Sequence, residues 1–263
     1  MDLELKDKVA FVAGASRGLG AATARQLAQE GARVVINSRN AERLQATADL
    51  IRKETGTEVL ALPGDVSMTA DVDRLLSETT RQLGGLDILV TNSGGPPPGR
   101  FEDLSDQAWL DAINLLLMSS VRLIRAALPP LRRSASPVVL TITSVSVKQP
   151  VSNLVLSNSI RLAVIGLTKS LALELGNEGI RFNSILPAFT ETERLMDLMK
   201  DRAQRSGTTV EDEVKKQAAT SSLGRLASPA EFAKAAAFLC SPAASYITGV
   251  MLAVDGGMYK GML

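Results

Sequence analysis

Three features of the 263-residue chain predict an α/β fold built on a parallel, doubly wound sheet. Short runs rich in β-branched residues alternate with longer amphipathic segments. The short runs are apolar throughout rather than at every second position. A glycine-rich loop joins the first short run to the first long segment. A strand that is apolar on both faces needs cover on both faces, which is the condition of a parallel sheet with helices above and below. Alternation of strand and helix then implies right-handed crossovers.

The strands are read, in order, at KVAFVAG (8–14), ARVVINS (32–38), TEVLALPGD (57–65), LDILVTNSG (86–94), SPVVLTITS (136–144), IRFNSILPA (180–188) and GVMLAVDGG (249–257). Helices are expected near 18–30, 40–54, 69–83, 105–133, 153–177 and 228–240. No repeat or linker divides the chain, so residues 1–263 are expected to form one domain with a seven-stranded sheet. Residues 190–227 are polar and charged and follow the carboxyl end of a strand, the side on which ligands bind in such sheets. They are expected to form a substrate lid, a plain surface excursion being the alternative.

Composition excludes several classes of function. A net charge of +1 offers nothing to a polyanion, so no nucleic-acid partner is expected. The chain contains no histidine, which removes histidine acid–base catalysis and His-ligated metals. Cys240 is the only cysteine, which rules out a Cys-rich zinc site and an internal disulfide and fits a reducing compartment. No apolar run is read as approaching the roughly 20 residues that span a bilayer. The N-terminal MDLELKDKVAF is acidic and unlike a secretory signal. A cytoplasmic protein with no membrane partner and no metal is expected.

The loop AGASRGLG (13–20) carries the first chemical signal. Gly14 suits a tight turn, Gly18 a close backbone approach, and Gly20 the packing of helix on strand. The helix that follows offers N–H groups and a positive dipole to a pyrophosphate. A glycine triplet alone says little, but one that opens a βαβ unit points to a dinucleotide. An acidic residue at the end of the second strand would bind ribose hydroxyls and repel a 2′-phosphate. The chain instead reads Asn37, Ser38, Arg39, Asn40 there. Arg39 and Arg17 are placed to grip a phosphate, although each is equally compatible with a solvated surface. The expected cofactor is therefore NADP(H).

Taken with the motifs that follow, the chain resembles the short-chain dehydrogenase/reductase (SDR) family, and within it the bacterial 3-oxoacyl-acyl-carrier-protein reductases. The resemblance covers nearly the whole chain and implies a Rossmann-like fold. It rests on the spacing of Gly14, Gly18 and Gly20, on Asp65 in GDVS, and on TNSGG (91–95) after the fourth strand. It also rests on Asn114 in DAINLLLMSS, Ser144 closing LTITS, the segment ILPAFTET, and YITGVMLAVDGG (246–257). The resemblance implies that Ser16, Arg17, Leu19 and the three glycines face the cofactor. It adds Ser38, Arg39, Asp65 and Val66 at the adenosine end, with Asp65 beside the adenine. Asn92, Ser93 and Gly94 follow after the fourth strand, and Pro187, Ala188 and Thr192 lie beside the nicotinamide. Asn114 would hold a water in a proton relay and Ser144 would be the catalytic serine.

One departure is decisive. The family places a tyrosine thirteen residues after that serine and a lysine four further on, whereas this chain has Ser157 and Arg161. The only tyrosines, Tyr246 and Tyr259, lie near the C-terminus. A phenol near pKa 10 can be tuned to exchange a proton with a carbonyl oxygen, whereas a serine hydroxyl is a far weaker acid. Its Oγ also stops roughly 4 Å short of a tyrosine hydroxyl. Positions 157 and 161 share a helix face, and arginine can keep the lysine's positive charge and its grip on the nicotinamide ribose. It does not readily titrate. Ser144 with a water at Asn114, or Lys148 in SVSVKQP, are other possible proton sources, and Arg100 in GGPPPGR is a candidate for an anionic substrate. Ordinary solvated roles remain open for both Lys148 and Arg100.

Three functions fit this reading. The first is an NADP(H)-dependent carbonyl reductase or alcohol dehydrogenase with a modified proton relay. The others are a dinucleotide-binding sensor with little turnover and a structural subunit of a mixed oligomer. The helices at 105–133 and 153–177 resemble those through which family members assemble, so a homo-oligomer, dimer or tetramer, is expected.

Overall fold

In the computed structural model, which describes residues 2–262, seven parallel strands form one sheet in the order β3-β2-β1-β4-β5-β6-β7. They are β1 (Val9–Val12), β2 (Arg33–Ser38), β3 (Val59–Pro63), β4 (Ile88–Thr91), β5 (Val138–Ile142), β6 (Arg181–Pro187) and β7 (Met251–Val254). Each falls inside the run expected for it. The helices are α1 (Gly18–Gln29), α2 (Ala41–Thr55), α3 (Thr69–Leu83), α4 (Asp106–Ala112), α5 (Ser119–Leu131), α6 (Val155–Glu174), α7 (Glu193–Ser206), α8 (Val210–Ala218) and α9 (Pro229–Cys240).

Period-two alternation sends neighbouring strand residues to opposite faces, and in β1, β2, β4, β5 and β6 both faces are buried, whereas the edge strand β7, expected to be covered, leaves Met251 and Leu252 exposed. Ala10, Val12, Val34 and Ile36 pack toward α1, α2 and α9, where Leu27, Leu44 and Phe232 meet them. Val9, Phe11, Val35 and Leu89 pack on the other side with Leu75 of α3, Leu123 of α5 and Ala172 of α6. Local chemistry sets several helix ends. Asn40 caps α2 by accepting the Arg43 N–H at 2.8 Å, and Gly56 ends that helix at φ 68°. Ser228 and Glu231 form a reciprocal capping box at α9, with Pro229 at its first position.

One segment is more regular than its sequence suggests, and one expectation needs correction. Residues 190–227, outside the expected helices, fold largely into α7 and α8. Thr192 caps α7, Thr209 and Asp212 box the start of α8, and Leu195, Met199 and Leu226 form a small core of their own. An isolated bridge between Thr190 and Ala227 closes its base. Secondly, an apolar helical stretch does reach membrane-spanning length: Asp106–Leu131 runs 26 residues with a mean hydropathy of 1.3 in its most apolar window. Part of it, 39% of that window, is buried, with α5 against β4, β5 and α3 and the preceding turns against α6, while Leu110 is exposed.

Candidate cofactor cleft and active site

The strand order reverses between β1 and β4, the position at which open α/β sheets form a ligand crevice. A cleft of about 460 Å³ opens there. Its floor is the glycine loop. Gly14 takes φ +60°, and a methyl group on it would sit 2.7 Å from Asn92 Nδ2. That amide donates to the carbonyls of Ala13 (3.3 Å) and Gly14 (3.2 Å), tying the end of β4 to the loop. A methyl group at Gly20 would collide with the Gly14 carbonyl, so α1 can begin directly beneath the loop only with glycine there. Thr47 of α2 donates its hydroxyl to the Ser16 carbonyl at 2.9 Å and fixes the loop from the side. The N-cap of α1 is Arg17, with extended backbone and no side-chain cap, so the helix presents N–H groups at the cleft.

Arginines dominate the end next to β2. Arg17, Arg39 and Arg43 line it together with Ser38, Asp65 and Val66. Asn37 turns inward, donating to the carbonyls of Leu62 (3.0 Å) and Gly64 (3.1 Å). Asp65 accepts from the Ser67 N–H (2.9 Å) and hydroxyl (2.7 Å), and its other oxygen lies 3.9 Å from Arg39 Nη1. Glu193, at the start of α7, bridges Arg17 at 2.8 Å and Arg43 at 3.9 Å. The hydrogen bond from Arg17, reinforced by the charges of Arg17 and Arg43, holds its carboxyl below the usual range.

The other end is built from β5 and α6. Ser144 caps the turn Val145–Val147, its Oγ accepting the Ser146 N–H at 3.1 Å. Arg161 donates Nε to Ser157 Oγ and Nη1 to the Thr143 carbonyl, both at 3.1 Å. Burial, with the charge of Arg194 as a second cause, pushes the Arg161 guanidinium down to about 10. Arg194 reaches over from α7 and packs on Gly95. Asn158, within the same SNSIR stretch, clamps the chain ahead of α6 by donating to the Val151 carbonyl at 2.9 Å. Asn114 lies in a π-helical turn (Ile113–Met118) between α4 and α5. Its carbonyl accepts the Ser119 N–H, and its side-chain oxygen accepts from Arg122 at 2.7 Å. Such turns are frequent at functional sites.

This architecture can be compared with known proteins. Residues 14–259 match the family described as Enoyl-(Acyl carrier protein) reductase. The chain belongs to the short-chain dehydrogenase/reductase family. Over 257 residues, 98% of this chain and 99% of the relative, it is 33% identical to 3-oxoacyl-acyl-carrier-protein reductase FabG of Vibrio cholerae. Over 254 residues it is 33% identical to rabbit (Oryctolagus cuniculus) dehydrogenase/reductase SDR family member 4, covering 96% of this chain and 94% of that one. Among solved structures, L-sorbose reductase from Gluconobacter frateurii complexed with NADPH and L-sorbose superposes with a TM-score of 0.95. Its identity is 32%, with full coverage of both chains. Actinorhodin polyketide ketoreductase with NADPH follows at a TM-score of 0.91 and 30% identity, covering 97% of this chain and 98% of that one.

In this SDR the cleft gathers most of the expected cofactor residues. Gly14, Ser16, Arg17, Gly18 and Leu19 line it, as do Ser38, Arg39, Asp65 and Val66. Asn92, Ser93, Gly94, Arg161, Pro187 and Thr192 complete that set. Gly20 supports the loop from below. Ala188 does not face the cleft: its N–H donates to the Val254 carbonyl at 3.2 Å, and it lines a separate small cavity near Phe189 and Leu226. Ser144, Ser157 and Asn114 border rather than line the cleft: the chain neighbours Thr143 and Leu115 line it, as does Arg161, which donates to Ser157 Oγ. Lys148 holds its Nζ 4.9 Å from the centre of the Tyr259 ring, and the exposed Arg100 pairs with Glu102 at 2.5 Å. Sequence reading missed Arg43, Glu193 and Arg194. Arg43 sits in the first turn of a helix whose Asn40 cap was legible, while nothing local marks the other two.

Proposed function

We propose that this SDR is an NADP(H)-dependent oxidoreductase of a small-molecule carbonyl or alcohol, with an altered proton relay. The observation that carries the cofactor reading is the arginine set at the β2 end. Arg17, Arg39 and Arg43 converge on one end of a cleft whose second strand ends in Ser38 rather than an acid. Guanidinium forks suit a 2′-phosphate. The fit extends to the floor, where Gly14 and Gly20 leave room that a methyl group would fill. The relatives crystallised with NADPH agree with this choice.

Bound cofactor supplies or accepts a hydride. The chain's own residues provide the rest of the site. The α1 N-terminus and the glycine loop bind a pyrophosphate. Ser144 accepts its hydrogen bond from the Ser146 N–H, so its own proton is available to orient a carbonyl oxygen. Arg161 supplies positive charge beside that position, and its Nε polarises Ser157 by donating to Oγ. Ser157 remains too weak an acid and too short to replace a tyrosine, so the proton comes by way of Ser144 and water near Asn114. The start of α7 borders the cleft through Glu193 and Arg194, which supports reading residues 190–227 as a substrate lid. Exposed apolar side chains on α6, Leu162 and Leu173, support a homo-oligomer, and a cytoplasmic location belongs to the same reading.

Dissociation constants for NADPH and NADH test the cofactor; equal values would remove the role given to the arginines. NADPH oxidation with a carbonyl panel is then compared between the native protein, Ser144→Ala and the double variant Ser157→Tyr/Arg161→Lys. Native turnover that Ser144→Ala abolishes is the expected result. Turnover confined to the double variant would favour a dinucleotide-binding sensor or a subunit of a mixed oligomer, the reading that the loss of the phenol supports.

A further inference from the structure

The cleft is lined by five arginines, Arg17, Arg39, Arg43, Arg161 and Arg194, and by two acids, Asp65 and Glu193. Both acids are engaged at the β2 end: Asp65 with Ser67 and Arg39, Glu193 with Arg17 and Arg43. Arg161 is at the opposite end, Arg194 lies within the field of both Arg161 and Arg17, and among the described residues no carboxylate lies within 4.0 Å of either. The two hydrogen-bond acceptors that Arg161 does have, Ser157 Oγ and the Thr143 carbonyl, are both neutral. Each guanidinium is held below its ordinary value chiefly by burial, Arg161 additionally by the charge of Arg194 and Arg194 by that of Arg17. Partly desolvated cations that line one cleft with no carboxylate partner are unfavourable unless an anion joins them.

From this we infer that Arg161 and Arg194 form the anion-binding half of the substrate site, and that the substrate is a carbonyl compound bearing a carboxylate. This rests on the reductase reading given above and names its substrate class. Arg161 donates to the carbonyl of Thr143, the residue next to Ser144, so a carboxylate held by Arg161 lies on the Ser144 side of the cleft. Three of the five guanidinium N–H donors of Arg161 remain to be shared between the nicotinamide ribose and that carboxylate, since Nε and one Nη1 proton are used internally. Arg194 approaches over Gly95, where the absence of a side chain leaves its guanidinium space. Arginine forks match planar carboxylates, and two of them discriminate strongly against a neutral ketone of the same size. The replacement of the family's lysine by arginine at position 161 then has a purpose beyond retaining a charge.

The other possible source of the anion is the cofactor's pyrophosphate, and the test separates the two. Protein saturated with NADPH is titrated calorimetrically with oxamate and malonate, non-reducible carboxylates, and with acetamide as the neutral control. Saturable binding of a carboxylate but not of acetamide is expected. Arg194→Gln should weaken it roughly 10- to 100-fold, as expected for charge-assisted hydrogen bonds. Arg194→Lys should recover part of the loss, and the NADPH dissociation constant of Arg194→Gln should stay within about threefold of native. Failure of both carboxylates to bind overturns the inference. So does an Arg194→Gln protein that keeps carboxylate affinity but loses NADPH, since that assigns the arginine to the cofactor. If NADPH itself does not bind, the reductase reading fails instead, and the same titration on cofactor-free protein still decides whether the arginine pair takes a carboxylate.

Discussion

Replacing Arg161 with methionine should make the cofactor-free protein more stable while impairing its site. The guanidinium is pushed down to about 10, chiefly through burial. Each tenfold change in proton affinity corresponds to about 1.36 kcal/mol, so keeping Arg161 ionised costs on the order of 3 kcal/mol. The folded protein binds this proton less tightly than the unfolded chain. The cost is therefore fully present below about pH 10 and fades only as pH rises from there toward the ordinary guanidinium range. Methionine keeps most of the aliphatic stem and removes the charge. It also deletes the hydrogen bonds to Ser157 and Thr143, worth about 1 kcal/mol each. The balance is a gain of about 1 kcal/mol, or roughly 2–4 °C in Tm for a chain of this size. Differential scanning fluorimetry at neutral pH, without and with NADPH, reads both effects. The apo melting point should rise, and the additional shift given by NADPH should shrink. A fall of more than about 2 °C in the apo protein would refute the reasoning, because it would mean that the buried charge is already compensated within the fold.

Glu193→Gln should tighten NADPH binding by a few-fold while leaving NADH nearly unchanged, since it frees Arg17 and Arg43 and an exposed ion pair is worth at most about 1 kcal/mol; weaker NADPH binding in a fluorescence titration would show instead that the pair closes over the cofactor. Gly20→Ala should cost several-fold or more in dinucleotide affinity, because its methyl group meets the Gly14 carbonyl and must push the loop out of place; unchanged affinity would mean that the loop adapts freely. Cys240 is buried and its thiol is pushed up to about 12, so it should resist a thiol reagent at pH 8 until the protein is unfolded in denaturant. Rapid labelling of the native protein would contradict that burial.

What the sequence by itself determined follows from periodicities and local chemistry. The seven strands, most of the helices between them and the glycine loop were legible, because a parallel sheet covered by helices favours apolar strands and a nucleotide loop requires glycine at fixed spacing, although the edge strand β7 proves exposed. The helices within 190–227 were not legible because they bury few apolar side chains, Leu195, Met199 and Ala203, with Leu226 completing the small core from outside them, although the Thr209–Asp212 cap was there to be read. Which residues share the cleft was decided by tertiary structure alone. Glu193 is 176 positions from Arg17, and only the return of α7 across the carboxyl ends of the strands brings them to 2.8 Å. In the same way, SNSIR announced the loss of a tyrosine and a lysine, but not that Arg161 would share a cleft with Arg194 and that neither would have a carboxylate partner among the described residues. Electrostatic partnership depends on distances set by the fold, and no periodicity in the chain encodes it.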